Sequence, residues 1–465
     1  MQLLTNLIFF EMKRFLFSLA IIIAVLMSSC SSEDYKTYVP ADSKLVGKVD
    51  LKAFFSQTGV DQDKLFKDMA EQYGDEFASI KESGIDATTP FYIFAKNKGS
   101  DIVFGIVGKL ENREMFEKFA AKELEKSFVT AGDFSCSIES DGGLGVNDEV
   151  FVFLGRTSND KDAIKTELTK IMNKEGEGSI GENKIFAKAE GNSSFMSLYA
   201  DLSIIPEDYV SMAGSQAGVD SEKFKDLREM VVGINGNASE GICDFRASVK
   251  SDNSAVQEKI DKSLKAFGVI SDKAIKAFSE DDMFGLALNT DGEQLVNYIT
   301  ESLNSGDSNG SAAMMKQVFG MISDILSKIR GNVTFAMRNP SDFMFRAEGK
   351  NITNDLVAAI KDMQPSAVSA TPTGYCYDNQ YWFGYADNNF YVTGSQMLAQ
   401  EPTKLMGSSV PSALTSLMKD RRQVIFGNVN KLTALASMAS SSSDKDLKAF
   451  KEVTDKVKYV TISFK

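Results

Sequence analysis

The 465 residues contain 51 Lys and Arg against 64 Asp and Glu, which gives a formal net charge of −13. A chain this acidic is repelled by nucleic acid and by anionic lipid surfaces, so neither is an expected partner. It contains no histidine, which excludes imidazole acid–base catalysis, histidine-containing triads and histidine metal sites. We predict neither a metal nor a cofactor.

The first predicted element is a secretory signal. Met12-Lys13-Arg14 is a short positive region, and the uncharged apolar run Phe15–Met27 ends two small residues before Cys30. This order is typical of a secretory signal, and the run is shorter than the about 20 residues that span a bilayer. We therefore predict that residues 1–29 are a signal peptide and that Met12 is the true translation start.

Cys30 directly follows Ser28-Ser29, an arrangement that resembles a bacterial lipoprotein box. The resemblance implies cleavage before Cys30 and acylation, with palmitate for example, of its thiol and new amine. Each buried CH₂ contributes about 0.8 kcal/mol, so two or three acyl chains hold a protein to a membrane. Residues 30–43 are then a lipidated acidic tether.

The acidic stretch Ser31-Ser32-Glu33-Asp34 resembles the export tag of lipoproteins in the Bacteroidota. That resemblance implies an outer-membrane lipoprotein in the outer leaflet, and leaves surface exposure open. The alternative is a solvated tether without a targeting role.

Behind the tether, strands and helices recur in the order β-α-β-β-α. Four predicted strands, the first of which begins at Leu45, each end at an Asp or Asn suited to cap the next helix. These residues are Asp50, Asp201, Asn289 and Asn430. Asp101 and Lys109 recur at the same spacing as Asp342 and Lys350, and Cys136 with Asn147-Asp148 recurs as Cys376 with Asp387-Asn388.

This recurrence predicts a duplication of a duplication. The units lie near 44–126, 194–267, 283–363 and 423–465, the last incomplete, and form two lobes at 44–280 and 283–465. We predict an α+β fold of internally repeated β-α-β-β-α units, with antiparallel sheets and helices packed on one face.

The three other cysteines, Cys136, Cys243 and Cys376, each sit in an apolar, β-like run without CxxC spacing. We expect them to be small buried hydrophobes and predict no essential disulfide.

Two motifs that resemble catalytic signatures fail inspection. Residues 176–181 match GxGxxG but follow a helix and precede a predicted strand at Ile185-Phe186, the reverse of a dinucleotide site. Two SxxK matches and one SDN match lack the KTG element of serine β-lactamases and fit helix caps instead. We predict no catalytic residue.

An aromatic run at residues 375–385 is the candidate binding surface. Alternation places Tyr381, Phe383 and Tyr385 on one face of a strand and Trp382, the only tryptophan, on the other. One face must be core, and the other, if exposed, is a ring platform for a sugar or a peptide. The alternative is that all four rings pack inside the protein.

A family resemblance follows from the lipoprotein box, Val39-Pro40, Asp50-Leu51 and the repeated units. Together they resemble the Bacteroidota lipoproteins called domain of unknown function 4836, over about the whole mature chain. The resemblance implies an envelope lipoprotein without an assigned activity, so it supplies no catalytic positions.

We therefore predict a non-enzymatic, lipid-anchored binding or structural module. Its expected partners are the membrane, through the acyl chains, and a glycan, a peptide or an envelope protein. Two alternatives stay open. A hydrolase of envelope glycans or peptides would need two acids about 5–10 Å apart in a deep cleft, and an assembly partner would need a large apolar patch.

Overall fold

The computed structural model of the chain describes residues 33–73, 83–86, 88–99, 101–175, 180–209, 225–304, 319–320, 322–339, 341–403, 409–439 and 450–464. The predicted signal peptide and Cys30 lie outside these residues. Contacts within the chain separate two compact units. Unit 1 comprises Met1–Ile204, Gly233–Ser239 and Ala436–Lys456, and unit 2 comprises Ile205–Val232, Glu240–Leu435 and Val457–Lys465.

Unit 1 is built on strands β1 (Leu45–Val49), β2 (Phe91–Lys98), β3 (Asp101–Lys109), β4 (Val129–Ala131), β5 (Phe134–Ile138), β6 (Gly142–Val146), β7 (Val150–Arg156) and β8 (Met196–Asp201). Its helices are α1 (Leu51–Thr58), α2 (Gln62–Tyr73), α3 (Arg113–Glu123), α4 (Lys161–Met172), α5 (Lys184–Glu190) and α13 (Lys451–Lys456), with 3₁₀ turns at Glu33–Tyr38, Ile180–Glu182 and Leu202–Ile204. The strands pair in the order β8-β1-β2-β3-β7-β6-β5-β4, and every pair is antiparallel.

Unit 2 contains strands β10 (Ile242–Ser251), β11 (Phe267–Gly268), β12 (Phe284–Asp291), β13 (Ile329–Asn339), β14 (Asp342–Gly349), β15 (Val368–Thr371), β16 (Gly374–Tyr377), β17 (Tyr381–Ala386), β18 (Asn389–Thr393), β19 (Gln423–Asn428) and β20 (Tyr459–Phe464). Its helices are α6 (Ser254–Leu264), α7 (Asp272–Ile275), α8 (Gly292–Asn304), α9 (Ile352–Met363), α10 (Gln396–Gln400) and α11 (Ser412–Met418). Strand β9 (Met230–Ser239) and helix α12 (Val429–Ala439) are each divided between the units.

The strands of unit 2 pair in the order β10-β20-β19-β12-β13-β14-β18-β17-β16-β15, with β11 also beside β12. These pairs are antiparallel except β10–β20, which is parallel. The mixed α and β composition with mostly antiparallel strands is therefore confirmed, whereas a purely antiparallel sheet is not found.

Helices cover both faces of the sheet in unit 1. Phe91 packs with Leu51 of α1 and Phe116 of α3 in one core, whereas the next residue, Tyr92, meets Phe186 of α5 with ring centroids 5.5 Å apart. Successive strand residues point to opposite faces, so the prediction that helices pack on one face is wrong.

Unit 2 repeats this arrangement. Ala287 packs in a core with Leu414 of α11, and its neighbour Leu288 packs against a different core that contains Val357 of α9. The physical reason is visible in strand runs such as Phe91–Ala95, which are apolar without interruption. A strand with apolar side chains on both sides needs cover on both sides.

The helix caps test the predicted ends of the strands. Asp50 caps α1 as predicted, because its carboxylate accepts a hydrogen bond from Ala53 N at 2.8 Å. The predicted caps Asn289 and Asn430 are wrong by two residues each. Strand β12 continues to Asp291, which accepts from Glu293 N at 3.1 Å, and Asn428 accepts from Lys431 N at 3.3 Å.

The predicted strand at Ile185-Phe186 is also wrong, because these residues begin helix α5. The Asn183 side chain accepts hydrogen bonds from both of their N–H groups, at 2.8 and 2.9 Å. An Asn in this position satisfies the free donors of a first helical turn.

Cys136, Cys243 and Cys376 are buried and unpaired, in β5, β10 and β16. Burial raises the pKa of the Cys243 thiol to about 11. Within the described part of the chain, no helix is both long and apolar enough to cross a membrane.

Candidate functional site

A cavity of about 270 Å³ in unit 2 is a candidate site. Its floor comes from three neighbouring strands, β13, β14 and β18, whose register places Thr334, Arg346 and Tyr391 side by side. Two residues further along β14, Glu348 lies opposite Asn389 of β18. Its walls come from α7, the residues after α7, and the segments around Asp387 and Pro402.

Strand alternation explains why β14 contributes charges to the cavity. Phe345 and Ala347 pack into the core that α9 covers. The intervening residues Arg346 and Glu348 must therefore point to the other face of the sheet, where they line the cavity.

Arg346 is the unusual group of the site. Its guanidinium donates to the carbonyl oxygen of Pro402 from Nε at 3.3 Å and from Nη2 at 3.0 Å, and more weakly to that of Ala277 at 3.5 Å. Burial lowers the pKa of Arg346, while the charges of Asp282 and Asp387 act in the opposite direction. An arginine nonetheless remains cationic at neutral pH.

No carboxylate in the described residues forms an ion pair with this guanidinium. Glu348, its neighbour on the same face, is engaged elsewhere: its two oxygens accept from Asn332 N and from Asn332 Nδ2, both at 3.0 Å. Asn332 is fixed in turn, because its side-chain oxygen accepts from Ser271 N at 2.9 Å. Glu348 is therefore a structural acceptor and does not neutralise Arg346.

Gly331 makes this placement of Glu348 feasible. Its φ of 125° is a conformation that L side chains rarely adopt, and a Cβ built there would lie 2.0 Å from Glu348 Oε2. Only glycine allows the carboxylate to approach the strand so closely.

The remaining charges of the cavity are at its edge. Lys273 donates to Asp387, at 2.9 Å to the carboxylate and 3.1 Å to the carbonyl oxygen, and Lys276 is exposed. The lining thus has three cations and two carboxylates, in a chain with a net charge of −13. Since both carboxylates are already engaged, the cavity is suited to an anionic group.

The predicted aromatic residues occupy strand β17 next to this site, but the structure separates them. Tyr381 and Tyr385 are 43% and 44% exposed, whereas Phe383 between them is only 2% exposed. Phe383 stacks on Tyr375 with centroids 5.8 Å apart, and the half-buried Trp382 packs on the other face. Two separate exposed tyrosines remain on the predicted platform face.

Sequence reasoning missed Arg346 and Asn332. In this region the sequence pattern points only to Asp342 and Lys350 as a recurring pair. A signal was present, since an Arg that alternates with core-facing residues must point into whatever covers the opposite face of the sheet.

In the described residues, no group of three or more Cys, Asp or Glu is placed to hold a metal ion.

Comparison with known proteins adds a family but no activity. The profile of a family described as "Domain of unknown function (DUF4836)" matches residues 35–465. No curated protein matches the sequence.

Solved structures of TP0453 resemble parts of the chain. Crystal form I matches with a TM-score of 0.30 and 10% identity, over 51% of this chain and 87% of that one. Crystal form III matches with a TM-score of 0.30 and 11% identity, over 52% and 90% of the two chains. Likenesses this weak support no argument about fold or function.

Proposed function

Because the chain belongs to the DUF4836 family, whose function is unknown, we propose a function from its own chemistry. It is a lipid-anchored protein of the cell envelope that binds an acidic saccharide through a carboxylate held at Arg346. The observation that carries the proposal is a half-buried guanidinium at a cavity, which is hydrogen-bonded to carbonyl oxygens and forms no ion pair with any described carboxylate.

A carboxylate fits this guanidinium in shape and in charge. Arginine has five N–H donors in a planar fork, more than the carbonyl oxygens of Pro402 and Ala277 occupy. The fork matches the two oxygens of a carboxylate, and such paired bonds are about twice as strong as neutral ones. A bound anion would also offset the cost of keeping a cation out of water.

A sugar suits the rest of the lining better than an apolar ligand does. The hydroxyls of Thr334 and Thr403 can bond to sugar hydroxyls, and the apolar lining is limited to short residues. The volume lies just below the roughly 300–1,000 Å³ typical of small-molecule sites. One sugar ring fits this space better than an extended chain.

The anchor rests on the N-terminal sequence: Met12-Lys13-Arg14, the apolar run Phe15–Met27, and Cys30 after two serines. This order supports export followed by acylation. With the acidic residues Glu33-Asp34, it favours a lipoprotein of the outer membrane in the Bacteroidota.

We also infer that the two units arose by duplication. The strand order β8-β1-β2-β3-β7-β6-β5-β4 of unit 1 corresponds, strand by strand along the chain, to β19-β12-β13-β14-β18-β17-β16-β15 of unit 2. The equivalent strands β3 and β14 begin at Asp101 and Asp342, the pair that the sequence placed in register.

The binding proposal is tested on a glycan array that pairs uronic-acid saccharides with their neutral counterparts. We expect the wild-type protein to bind members that contain a uronic acid, and Arg346→Gln to lose them. Arg330→Gln is the matched control. Arg330 lies in β13, the strand next to β14, but it pairs with Asp291 and Glu293 outside the cavity. Binding that is equal in all three proteins, or equal binding of the acidic and neutral saccharides by the wild type, would contradict the proposal.

The anchoring proposal is tested separately by a mass spectrum of the mature N-terminus and by fractionation. We expect fatty-acyl mass on Cys30 and loss of membrane association in Cys30→Ala. A mature N-terminus without acyl chains would disprove the anchor and leave the cavity chemistry unaffected.

A further inference from the structure

The chain that follows the predicted anchor is fixed to unit 1 almost at once. Tyr35 and Tyr38, in the 3₁₀ turn Glu33–Tyr38, are buried. The Tyr35 hydroxyl donates to Pro90 O at 2.7 Å, and Asn147 Nδ2 donates to the Tyr38 hydroxyl at 2.7 Å. The second half of the predicted tether is thus part of the folded body.

This docking limits how far unit 1 can lie from a bilayer. The segment from Cys30 to Tyr35 spans at most about 18 Å when fully extended. If Cys30 carries acyl chains, the surface beside residues 37–42 is therefore within reach of the lipid headgroups. The inference rests on the anchor proposed above.

A polar cavity of about 530 Å³ opens at this surface. Residues 37–42 form one side of it, and Lys96, Lys98, Lys170 and Lys174 contribute four cations to its lining, with three carboxylates. It is distinct from the cavity at Arg346, which belongs to unit 2.

Two of the four lysines already neutralise acids inside the cavity. Lys96 pairs with Asp42 at 3.0 Å and with Glu167 at 2.6 Å, and Lys98 pairs with Glu167 at 3.4 Å. The third carboxylate, Glu175, accepts from Asn173 Nδ2 at 2.9 Å.

The other two lysines, Lys170 and Lys174, have no carboxylate within ion-pair distance in the described part of unit 1. Both are exposed. The ammonium of Lys174 lies 4.5 Å from the centroid of the Tyr38 ring, which draws it toward the N-terminal segment.

We propose that this cavity binds the phosphate of an anionic lipid headgroup through Lys170 and Lys174, assisted by Lys98. The overall negative charge does not oppose this contact, because charges beyond a Debye length of about 8 Å are largely screened. The acyl chains supply attachment, and the headgroup contact would fix which face of unit 1 lies on the membrane.

The test uses the mature acylated protein in vesicles of phosphatidylcholine alone or with phosphatidylglycerol. Lysines are modified with an amine-reactive reagent and quantified by mass spectrometry of peptides. We expect modification of Lys170 and Lys174 to slow about fivefold in the anionic vesicles, in line with the attraction of one lysine to an anionic surface. The exposed Lys118 of α3 lies on the opposite face of the unit 1 sheet from Lys96, so it is the internal control and should react equally in both.

Three further measurements make the result decisive. About 1 M salt should abolish the protection, since the Debye length falls to about 3 Å. The Lys170→Gln/Lys174→Gln variant should lose protection of Lys98 while its circular dichroism and its flotation with neutral vesicles stay unchanged. Equal protection by inorganic phosphate with neutral vesicles would overturn the headgroup assignment in favour of a free-phosphate site.

The two proposals fail in different ways. Protein that floats with both vesicles but shows no lysine protection overturns the headgroup site and leaves the anchor intact. Protein that does not float with neutral vesicles overturns the anchor, and with it the proximity on which the headgroup site depends.

Discussion

Replacing Asp282 with Asn should change the pH dependence of stability in unit 2. Asp282 is 2% exposed, and its Oδ2 accepts from Ser279 N at 2.7 Å. Burial raises its pKa from 3.8 to about 6, although Arg338 and Lys431 act to lower it. These cations pair with the neighbouring Asp281 instead, at 3.8 and 3.0 Å.

The sign follows from proton binding. Between about pH 4 and pH 6 the folded state holds a proton on Asp282 that the unfolded chain has released, so stability falls as pH rises through this window. The full loss is about 3 kcal/mol, at about 1.4 kcal/mol per pKa unit. Asn keeps an acceptor oxygen for Ser279 but does not titrate. The free energy of unfolding of Asp282→Asn minus that of wild type should therefore be about 2.5 kcal/mol larger at about pH 8 than at about pH 4, because the unfolded carboxyl is already partly protonated at pH 4.

Urea unfolding followed by fluorescence measures this difference, because the only tryptophan, Trp382, lies in unit 2. Other titrating groups affect both proteins alike and cancel in the comparison. Asp281→Asn is a control of opposite sign, since the bond from Lys431 and its charge lower the pKa of Asp281. A difference between Asp282→Asn and wild type that stays constant with pH would refute the reasoning.

Three further predictions test the packing inside the two units. Gly331→Ala should lower the stability of unit 2 by at least about 1 kcal/mol, because the new methyl meets the Glu348 carboxylate; an unchanged urea midpoint would show that the carboxylate can move. Leu65→Ala should cost unit 1 about 2–5 kcal/mol, since Leu65 is fully buried; circular dichroism during urea unfolding measures it, and a loss below 1 kcal/mol would contradict the packing. Cys243 should react with a thiol reagent about 100-fold more slowly in the folded protein than in urea, and equal rates would show that it is accessible.

Local chemistry was predictable from the sequence where one residue decides the outcome. Asp50 as a helix cap and the burial of Cys243 in a strand are examples. Strand ends were not predictable in this way, because Asn289 and Asp291 can both cap a helix. The choice between them depends on how far β12 stays paired with β13.

Features that depend on contacts between distant parts of the chain could not be predicted from the sequence. The parallel pairing of β10 with β20 joins segments far apart in the chain. The burial of Phe383 between two exposed tyrosines depends on Tyr375 from β16. The importance of Arg346 depends on Pro402 and on the residues after α7. In each case the deciding contact is non-local.

The most direct test of the central claim is a cycle that removes Arg346 and the ligand carboxylate in turn. A uronic-acid oligosaccharide from the glycan array and its carboxyl-reduced form are titrated into wild type and Arg346→Gln by calorimetry. Hydrogen bonds to charged groups contribute about 1.5–3 kcal/mol, so wild type should bind the acidic form at least about tenfold more tightly. Arg346→Gln should bind both forms alike. An equal preference for the acidic form in both proteins would show that the carboxylate is not held by Arg346.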